Sequence, residues 1–563
     1  MKYEIKGSTD SNIIKLICDN REVDYYKLEE FLNPTKDSII GALVYENIER
    51  AARRIIFSVL NNEKIGIVVD ADLDGNFSAA MIINYLREVF DYENVEYFIH
   101  SNKAHGLTQE IMDAIDGSDI NLLIIPDAGT NDIKQHKLLK DKEIDVVVID
   151  HHEVEKISED AIVVNNQIGN FGNKTLCGAG MVLKVLNVID AIVDRNEADN
   201  YLDLVAVALV GDSMDMNVPE TRYLVQKGLL NINNPLLFEI SNPNKEKNFE
   251  MISYDIAPAI NSFIRVGSRE EKEDLFKALI CEDEKRSLEI RGQGEIELNL
   301  AEYIARLSPR IKNRQATEVK KALEHRETLV LNDDLPITIC ILSEDANRNL
   351  TGLIGNKLVD EYNKPVIVLK KLDNGNFGGS GRSTTTFTLF KDYIETSGYF
   401  KFAQGHQSAF GCRIAQEKLI EFIEKIKGKT LGSENNSYKV DKAYIDNVSA
   451  FDILEVDKLK NHWGKGFEKP KFYIELNNIS NSDIDVIGPK KDTIRIKKDN
   501  ITYIKFKCTP EEIQNIINFK MGTIKIIGSF NINEWNDRLF PQVIIDVIKV
   551  EENNIINVFD FKL

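Results

Sequence analysis

The sequence lacks several features that would place it in common classes of protein. No apolar run approaches the ~20 residues of a membrane-spanning helix, and MKYEIKGSTD lacks the apolar core of a signal peptide. The six cysteines form no C-x-x-C pair, which argues against a zinc knuckle and a disulfide framework. Repeats and low-complexity tracts are absent as well. We expect a cytoplasmic protein of three or four domains, since a domain holds roughly 150 residues.

The net charge of −20 is unevenly distributed along the chain. Residues 439–563 hold 19 basic and 19 acidic side chains, so the acidic excess lies entirely before Lys439. A carboxylate-rich body suits divalent metal ions, and a neutral tail with basic stripes is compatible with nucleic acid. This distribution permits a nuclease but does not establish one.

The N-terminal half alternates short apolar runs with helical segments. IGIVVD, VEYFIH, NLLIIPD and DVVVID resemble strands, and segments such as SAAMIINYLREVF separate them. This alternation predicts an α/β fold with a wound, mostly parallel sheet. The charged, helix-periodic residues 268–330 predict a long connecting helix or helix pair. A second, smaller α/β region follows, then a linker near 428–438 and short strands that predict a small β-barrel.

Acidic residues stand where the predicted strands end. Asp70 follows IGIVV, Asp127 follows NLLIIP and Asp150 closes DVVVID. Ligands of open α/β sheets gather at the carboxyl ends of strands, so we expect these carboxylates to converge. Asp212 follows the apolar run LVAVALVG, which we interpret as another such strand, with Asp215 as an alternative.

The segment DADLDG adds two carboxylates to Asp70. In an extended chain Asp70, Asp72 and Asp74 share one face, and three like charges there favour a bound cation such as Mg²⁺ or Mn²⁺. An EF-hand is excluded because no glutamate stands at the twelfth position. Taken alone, D-x-D is also common in solvated acidic loops.

Two adjacent histidines, His151 and His152, follow Asp150. One imidazole can bind a metal while the other faces a substrate phosphate, and imidazole favours Mn²⁺ over Mg²⁺. A lone histidine pair is more often structural, but this chain has only eight histidines. The pair and the strand-end acids together indicate a two-metal phosphoesterase centre.

The ordered motifs DADLDG, PDAG, DHH, CGAG and VGDSMD resemble those of the DHH phosphoesterase superfamily, and the RecJ branch matches best. The similarity covers nearly the whole chain, through APAINSFIRVG, GGSGRS, QGHQSAFG and GSFNINEWNDRLFPQVIID. It implies a DHH catalytic domain over residues 1–240, a helical connector over 241–330, a DHH-associated substrate domain over 331–430 and an OB-fold-like nucleic-acid-binding domain over 436–563.

The resemblance implies a single-stranded-DNA exonuclease that works 5′→3′ and releases 5′-mononucleotides in DNA repair, recombination or replication. It implies two cations, Mn²⁺ or Mg²⁺, with Asp127 bridging them, Asp70 and Asp150 in support and His152 at the scissile phosphate. The implied metal ligands are Asp72, Asp74, Asp127, His151 and Asp212. The expected partner is single-stranded DNA, with a helicase or single-strand-binding protein as candidates, and we expect a monomer without a membrane partner.

Two glycine-rich segments offer backbone N–H groups to a phosphate, and an arginine fork matches its oxygens. Either segment alone could equally be a flexible turn. The resemblance assigns the loop at 380–383 and the GH pair to substrate phosphate, and Asn261 and Arg265 match positions near substrate. The assigned residues are Ser380, Gly381, Arg382, Ser383, Gly405 and His406.

The tail segment DTIRIKKDNITYIKFK predicts a hairpin that turns at Asp499-Asn500. Alternation places the basic residues and one tyrosine on a shared face, which suits stacking with single-stranded bases at ~1–3 kcal/mol per base. A solvated polar face is the alternative. The residues of the predicted face are Arg495, Lys497, Tyr503, Lys505 and Lys507.

The chain departs from the family pattern at Ala71, Ala259 and Gln404, so some substrate contacts are expected to differ. A nanoRNA or cyclic-dinucleotide phosphodiesterase of the same superfamily is the alternative enzyme, although such enzymes usually lack the tail domain. A non-catalytic replication scaffold is disfavoured by the intact DADLDG and DHH motifs. A manganese pyrophosphatase leaves the tail unexplained.

Overall fold

The computed structural model describes residues 1–241, 246–290, 292, 294–330, 335–362, 364–372, 374–384, 387, 389–429, 437–535 and 538–552. The chain folds into two compact units. The terminal unit contains Met1–Asn33 and Asn435–Leu563, and the central unit contains Pro34–Glu434. The first 33 residues thus group with the C-terminal segment, whereas the sequence analysis places residues 1–240 in one domain. The other domain boundaries stay predictions.

The N-terminal segment forms β1 (Tyr3–Ile5), α1 (Ile13–Asp19) and α2 (Leu28–Leu32). The side chain of Asn12 caps α1 by accepting the N–H groups of Ile14 and Lys15. Ile13, Leu16 and Ile17 are buried in the core of the terminal unit, so this segment is part of its fold.

The first lobe of the central unit, residues 34–324, is a wound α/β structure. Its elements up to residue 240 are α3 (Ile48–Leu60), β2 (Ile65–Val69), α4 (Leu73–Phe90), β3 (Val95–Ile99), α5 (Gln109–Asp116), β4 (Leu122–Pro126), α6 (Ile133–Asp141), β5 (Asp145–Asp150), β6 (Ile162–Asn165), α7 (Gly178–Val193), α8 (Leu202–Gly211), α9 (Pro219–Leu230) and α10 (Pro235–Ile240). The strands pair in parallel in the order β3-β2-β4-β5-β6. β2 and β4 are buried at every residue, which explains their continuous apolar sequences. The predicted wound parallel sheet is confirmed.

The connector contains a β-hairpin that the sequence analysis did not predict. Its elements are α11 (Phe249–Met251), a π-helical turn (Ile252–Ile256), α12 (Ala257–Val266), α13 (Arg269–Leu279), β7 (Lys285–Ile290), β8 (Gly294–Asn299) and α14 (Leu300–Glu324). Gly292 and Gly294 have φ of +84° and +78°, which favours a turn at this point. The purely helical interpretation of residues 268–330 is therefore wrong for 285–299, whereas α14 is the predicted long helix.

The second lobe of the central unit, residues 328–426, is a smaller α/β layer. Its elements are β9 (Thr328–Val330), β10 (Thr338–Ile341), α15 (Thr351–Tyr362), β11 (Val366–Lys371), β12 (Phe377–Arg382), α16 (Phe390–Thr396), β13 (Phe400–His406), β14 (Ala409–Ile414) and α17 (Gln416–Ile426). The strand order is β13-β14-β12-β11-β10-β9, and only β10 and β11 pair in parallel. α15 packs against β11 and β12.

The C-terminal part of the terminal unit is mostly β-structure. Its elements are β15 (Tyr438–Val440), β16 (Lys442–Ile445), α18 (Ala450–Asp457), β17 (Phe472–Ser480), β18 (Ile484–Ile487), β19 (Thr493–Lys498), β20 (Ile501–Lys505), α19 (Pro510–Asn518), β21 (Met521–Trp535) and β22 (Arg538–Glu552). Seven strands form one sheet in the order β16-β17-β21-β22-β20-β19-β18, and β1 pairs in parallel with β15. Arg21 and Asp441 form a fully buried ion pair at 2.7 Å that ties the N-terminal segment to this part.

Among the residues that the structure describes, no helix combines the length and apolar composition that a bilayer crossing requires.

Candidate metal centre and phosphate pocket

Three neighbouring parallel strands carry acidic residues to one edge of the first lobe. Asp70 follows β2, Asp127 follows β4 and Asp150 is the last residue of β5. These strands are adjacent, so their carboxyl ends lie side by side. The structure therefore brings the three predicted carboxylates together at the edge where α/β proteins bind ligands.

The atoms at this edge that could bind a metal form three groups, each with its ligand atoms within 4.8 Å of one another. His151 belongs to two of them: its Nε2 lies 3.1 Å from Oδ1 of Asp127, 3.7 Å from Oδ2 of Asp212 and 3.9 Å from Oδ2 of Asp74. A single imidazole thus stands among three carboxylates. The groups are Asp127, His151 and His152; Asp74, His151 and Asp212; and Asp70, Asp72 and His105.

Asp127 lies deep in this cluster, with 1% of its surface exposed. Neither of its oxygens receives a hydrogen bond of normal geometry from any residue that the structure describes. Burial and the charges of Asp74 and Asp72 raise the pKa of Asp127 well above its usual range. A buried carboxylate without donors, surrounded by other carboxylates, is a site that fits a divalent cation. Its φ of +63° is unusual outside glycine and marks a constrained position.

Asp74 joins the beginnings of two helices. It stands in the first turn of α4, and its oxygens accept the N–H groups of Gly178 at 2.6 Å and Ala179 at 2.8 Å. α7 begins at Gly178, where a Cβ would lie 2.5 Å from Cβ of Asp127. Glycine is required there so that α7 can approach the carboxylates. The neighbouring Asp72 caps α4 by accepting the N–H of Gly75 at 3.0 Å.

Asp150 holds His152 beside the cluster. Oδ1 of Asp150 lies 2.8 Å from Nδ1 of His152, and the carboxylate also accepts the backbone N–H groups of His151, His152 and Thr130. Burial opposes protonation of His152, but the Asp150 contact outweighs it and raises the pKa of His152 to about 10. The contact with Asp150 therefore favours the cationic imidazole, and Nε2 is the nitrogen not held by Asp150.

Asp70 supports a second histidine that the sequence analysis missed. Its oxygens lie 2.5 Å from Nδ1 of His105 and 2.9 Å from the N–H of Gly106. The charge of Asp70 raises the pKa of His105 and outweighs the opposing effect of desolvation. His105 lies in the loop after β3, and the only sequence signal for it was that VEYFIH ends at the same sheet edge.

Asp212 reaches the cluster from a helix rather than from a strand. It is the C-cap of α8, and the run LVAVALVG is a buried helix. The prediction of a fourth strand end is therefore wrong, although Asp212 does lie in one of the ligand groups. The alternative, Asp215, instead accepts the N–H of Asn217 and belongs to none of these groups.

The GGSGR segment is a strand, β12, so the predicted glycine-rich loop is wrong. A Cβ on Gly379 would lie 1.8 Å from the carbonyl oxygen of Val368, and one on Gly381 would lie 2.3 Å from the ring of Phe410. These glycines permit close packing within the sheet. Ser380 faces the N-terminus of α15, with its Oγ 2.9 Å from Oγ1 of Thr351.

The ends of the second lobe's hairpin carry the remaining predicted residues. The N–H of Ser383, just after β12, donates to the carbonyl of Ser408 at 3.0 Å. Gly405 has a φ of +124°, which favours glycine. His406 pairs through its backbone with Ala409, and its side chain lies outside the described residues.

Three basic residues from different parts of the central unit form a cation group near the acidic cluster: Lys103, Arg265 and Arg382. Burial lowers the pKa of Lys103, and the charges of Arg265 and Arg382 lower it further. Burial also lowers the pKa of Arg265, while Asp72 opposes that change. The backbone N–H of Lys103 donates to Asn349, and the amides of Asn347 and Asn349 donate to the carbonyl of Arg265. Lys103 follows β3, like His105, and was not predicted.

α12 contributes Arg265 to this cation group from one narrow face. Between Ala257 and Val266 the partly exposed residues are Pro258, Asn261 and Arg265, which follow helical spacing, and the others are buried. Asn261 therefore stands one turn before Arg265 on the same face. Among the described residues, none of these three cations forms an ion pair with a carboxylate. Cations placed beside the acidic cluster suit an anionic ligand that has metal ions at one end.

The predicted basic face of the terminal unit does not exist as one face. Asp499 and Asn500 form the predicted turn, with φ of +51° and +62°. The two-residue turn sets Ile496 opposite Tyr503, and Tyr503 is buried with 1% exposed. An even-numbered residue on one strand therefore faces an odd-numbered residue on the other.

The five predicted side chains consequently divide between two faces. Arg495 stands opposite Ile504 and pairs with Asp485 at 2.7 Å. Lys505 stands on the face of Tyr503 and donates to the carbonyl of Asp546 at 2.6 Å. Lys497 is exposed beside Arg495, and Lys507 lies beyond the end of β20.

Comparison with known proteins places these observations in one family. The model of the DHH family N-terminal domain matches residues 64–209, and that of the RecJ OB domain matches residues 445–547. YorK of Bacillus subtilis, whose name describes a prophage-derived single-strand DNA-specific exonuclease, is 33% identical to this chain. The match covers 99% of this chain and 100% of YorK. The single-stranded-DNA-specific exonuclease RecJ of Bacillus subtilis is 27% identical over 97% of this chain and 67% of its own.

A solved structure shares the fold. RecJ from Thermus thermophilus, in complex with Mn²⁺, superposes with a TM-score of 0.73 at 16% identity, covering 96% of this chain and 76% of the other. The fold, the extent of the identity to YorK and the two domain matches agree. The chain belongs to the RecJ family of the DHH superfamily.

Proposed function

We propose that this protein is a metal-dependent exonuclease that hydrolyses phosphodiester bonds in single-stranded DNA. The observation that carries the proposal is the cluster of buried carboxylates around His151, with Asp127 lacking hydrogen-bond donors among the described residues, beside the cation group. The names of YorK and of the RecJ proteins support single-stranded DNA as the substrate.

In this proposal the carboxylates and the imidazole of the cluster would hold two divalent cations, Mn²⁺ or Mg²⁺, with Asp127 as a ligand available to both. When bound, such ions supply Lewis-acid chemistry that activates water and neutralises charge on the phosphate. The Mn²⁺ complex of the Thermus thermophilus protein supports this choice. The proposed ligands are Asp72, Asp74, Asp127, His151 and Asp212.

His152 contacts the scissile phosphate. Asp150 holds Nδ1, so the protonated Nε2 donates a hydrogen bond to a nonbridging oxygen as negative charge develops there. Because Asp150 fixes the ring and raises its pKa, the proton stays on the imidazole at neutral pH. Asp70 acts similarly on His105 and keeps that ring oriented toward the cluster.

The cation group holds the terminal phosphate of the strand and so makes cleavage exonucleolytic. Arg382 presents a planar fork to the phosphate oxygens, while Arg265 and Lys103 add positive charge. The hydroxyl groups of Ser380 and Ser383, the backbone at Gly381 and Gly405, His406 and Asn261 complete the pocket. We propose that the bound end is the 5′ end and that the products are 5′-mononucleotides.

The wider roles are also proposals. The basic residues of β19 and β20 contribute to DNA binding by the terminal unit, individually rather than as one face. The process served is DNA repair, recombination or replication, with a helicase or single-strand-binding protein as a partner. The four domains keep the boundaries given above, apart from the first 33 residues.

The test is digestion of 5′-labelled or 3′-labelled single-stranded DNA, duplex DNA and dinucleotides with Mn²⁺ or with EDTA. We expect ordered loss of the 5′ label as mononucleotide from single strands, and none with EDTA. His151→Ala and Asp127→Ala should abolish turnover with an unchanged circular-dichroism spectrum, and turnover by either variant would refute its metal-binding role. Cleavage of dinucleotides alone would contradict the exonuclease proposal.

A further inference from the structure

One face of the second lobe's sheet is only partly covered by its helix. The opposite face carries the core, including Ile367, Leu369 and Phe410. On the face that carries Ser380, α15 packs over β11 and β12. Further across this face, Gly411 and Arg413 of β14 are partly exposed and Gln404 of β13 is exposed.

A row of paired residues crosses four strands on this face. Lys370 of β11 pairs with Gly378 of β12, which pairs with Arg413 of β14, which pairs with Phe402 of β13. Directly paired residues of antiparallel strands project to the same side. Gly378 is buried, since the side chain of Leu372 would lie 3.1 Å from a Cβ there, and Lys370 and Arg413 stand two strand spacings apart, about 10 Å.

A second arginine, Arg348, lies two residues after Ala346, whose carbonyl accepts a hydrogen bond from Lys370 of the same row. Arg348, in the turn before α15, has its pKa lowered by burial and by the positive charge of Arg413. Within the part of the chain that the structure describes, no carboxylate lies within ion-pair distance of either guanidinium. Nε of Arg413 is buried without a hydrogen-bond partner among the described residues, and the guanidinium lies 5.2 Å from the Phe402 ring centroid.

This arginine pair lies on the same face as the phosphate pocket. Gly378, opposite Arg413, and Arg382 are four residues apart along β12, so the two positions are about 13 Å apart. Ser380 lies midway with its hydroxyl on Thr351. Gln404, where the chain departs from the family pattern, faces Gly411 in the row of Ser380. A single monophosphate held at Arg382 does not extend to the arginine pair.

We propose that Arg348, Arg413 and Phe402 form a second anion subsite, which binds a phosphate group lying beyond the terminal phosphate held at Arg382. The proposal rests on the proposed function and extends it to a substrate class. Two like-charged guanidinium forks without a carboxylate suit a shared anion, and Phe402 orients Arg413. The phosphate belongs either to a triphosphorylated 5′ end or to an additional nucleotide at that end.

The first experiment compares kcat/KM of the full chain with Mn²⁺ on oligonucleotides that carry a 5′-monophosphate or a 5′-triphosphate. We expect the wild type to prefer the triphosphate about tenfold, and Arg413→Gln or Arg348→Gln to remove that preference, as for loss of a charge-assisted hydrogen bond. Arg53→Gln is the matched control, because that exposed arginine pairs with Glu49 on α3. It should keep the wild-type ratio.

The identity of the first product separates the two sources of phosphate. A dinucleotide as the first product of the wild type, in place of the mononucleotide proposed above, and a mononucleotide from Arg413→Gln would support the additional nucleotide. A triphosphate preference lost in the variants would support the triphosphorylated end. Unchanged rate ratios and unchanged products in both variants, with intact melting curves, would overturn the subsite.

A binding measurement keeps this test independent of catalysis. Anisotropy of 3′-fluorescein oligonucleotides in EDTA reports affinity for either 5′ end without turnover. We expect the triphosphate to bind about tenfold tighter than the monophosphate, and Arg413→Gln to equalise the two. Loss of turnover in every assay with this preference retained would refute the exonuclease and leave the subsite standing. Equal affinity of the wild type for both ends, together with the same first product from wild type and Arg413→Gln, would refute the subsite alone.

Discussion

Replacing Gly178 by alanine should damage the candidate metal centre without unfolding the protein. The added Cβ would lie 2.5 Å from Cβ, 2.6 Å from Oδ1 and 2.8 Å from Cα of Asp127. Carbon atoms normally approach to about 3.5–4.0 Å. Because backbone is among the contacts, rotation of the Asp127 side chain cannot relieve the overlap, and α7 or the strand end must move by about 1 Å.

The size of the effect follows from that displacement. A shift of about 1 Å at a reacting group can cost about 100-fold in rate, and disturbing groups that orient metal ligands typically costs about 10–100-fold in metal affinity. Moving α7 also weakens the hydrogen bonds from Gly178 and Ala179 to Asp74. Alanine is the better helix former by about 1 kcal/mol, so global stability should fall little.

Calorimetric titration with Mn²⁺ and kcat on single-stranded DNA, beside a thermal melt, would measure these effects. The matched control is Gly180→Ala in the same helix, whose Cβ would meet only the side chain of Leu176, at 3.1 Å. We expect wild-type behaviour from the control and about a 100-fold loss of kcat from Gly178→Ala. Wild-type metal affinity and turnover in a folded Gly178→Ala protein would refute this reasoning.

Arg21→Ala should lower the free energy of unfolding of the terminal unit by about 3–5 kcal/mol in urea, because it leaves Asp441 charged and buried; a loss below 1 kcal/mol would contradict this. Despite burial, Arg21 lowers the pKa of Asp441 below 3.8. The free energy of unfolding of the wild type should therefore exceed that of Asp441→Asn above about pH 4, and the difference should shrink as the pH falls through the pKa of Asp441 in the folded state. Tyr503→Ala should lower the free energy of unfolding by about 3 kcal/mol, because Tyr503 is buried. Lys497→Ala should weaken DNA binding and leave stability unchanged, because Lys497 is exposed. Equal melting temperatures of the two variants would contradict the assigned faces. Mn²⁺ at 100 times its Kd should stabilise the wild type by about 2.7 kcal/mol, and a similar shift in Asp127→Asn would argue against the assigned ligand.

The acidic cluster was largely predictable because its members obey one topological rule. Asp70, Asp127 and Asp150 end buried parallel strands, and such ends meet at one edge. The same rule misassigned Asp212, because a wholly apolar run has neither helical nor strand periodicity. The run has eight residues, a length that fits either element, so length did not decide between a helix and a strand.

Residues whose position depends on pairing or on loops were harder to predict. Tyr503 was placed on the wrong face because alternation within one strand does not fix which residues face each other across a turn. Lys103 and His105 lie in an irregular loop without a motif, and only the position of β3 in the sheet brings them to the site. The hairpin at 285–299 was not predicted because its many charged residues match the charged pattern of the helices around it.

The arrangement of the terminal unit has a consequence for biosynthesis. Its first 33 residues cannot complete their unit until a segment about 400 residues later has been synthesised. At a translation rate of about 5–20 residues per second, the delay is roughly 20–80 s. During that time α1 lacks the helix α18 against which it packs, while the intervening unit can fold as it emerges from the ribosome. A nascent chain stalled before residue 435 would therefore expose Ile13, Leu16 and Ile17, and we expect chaperones to bind there.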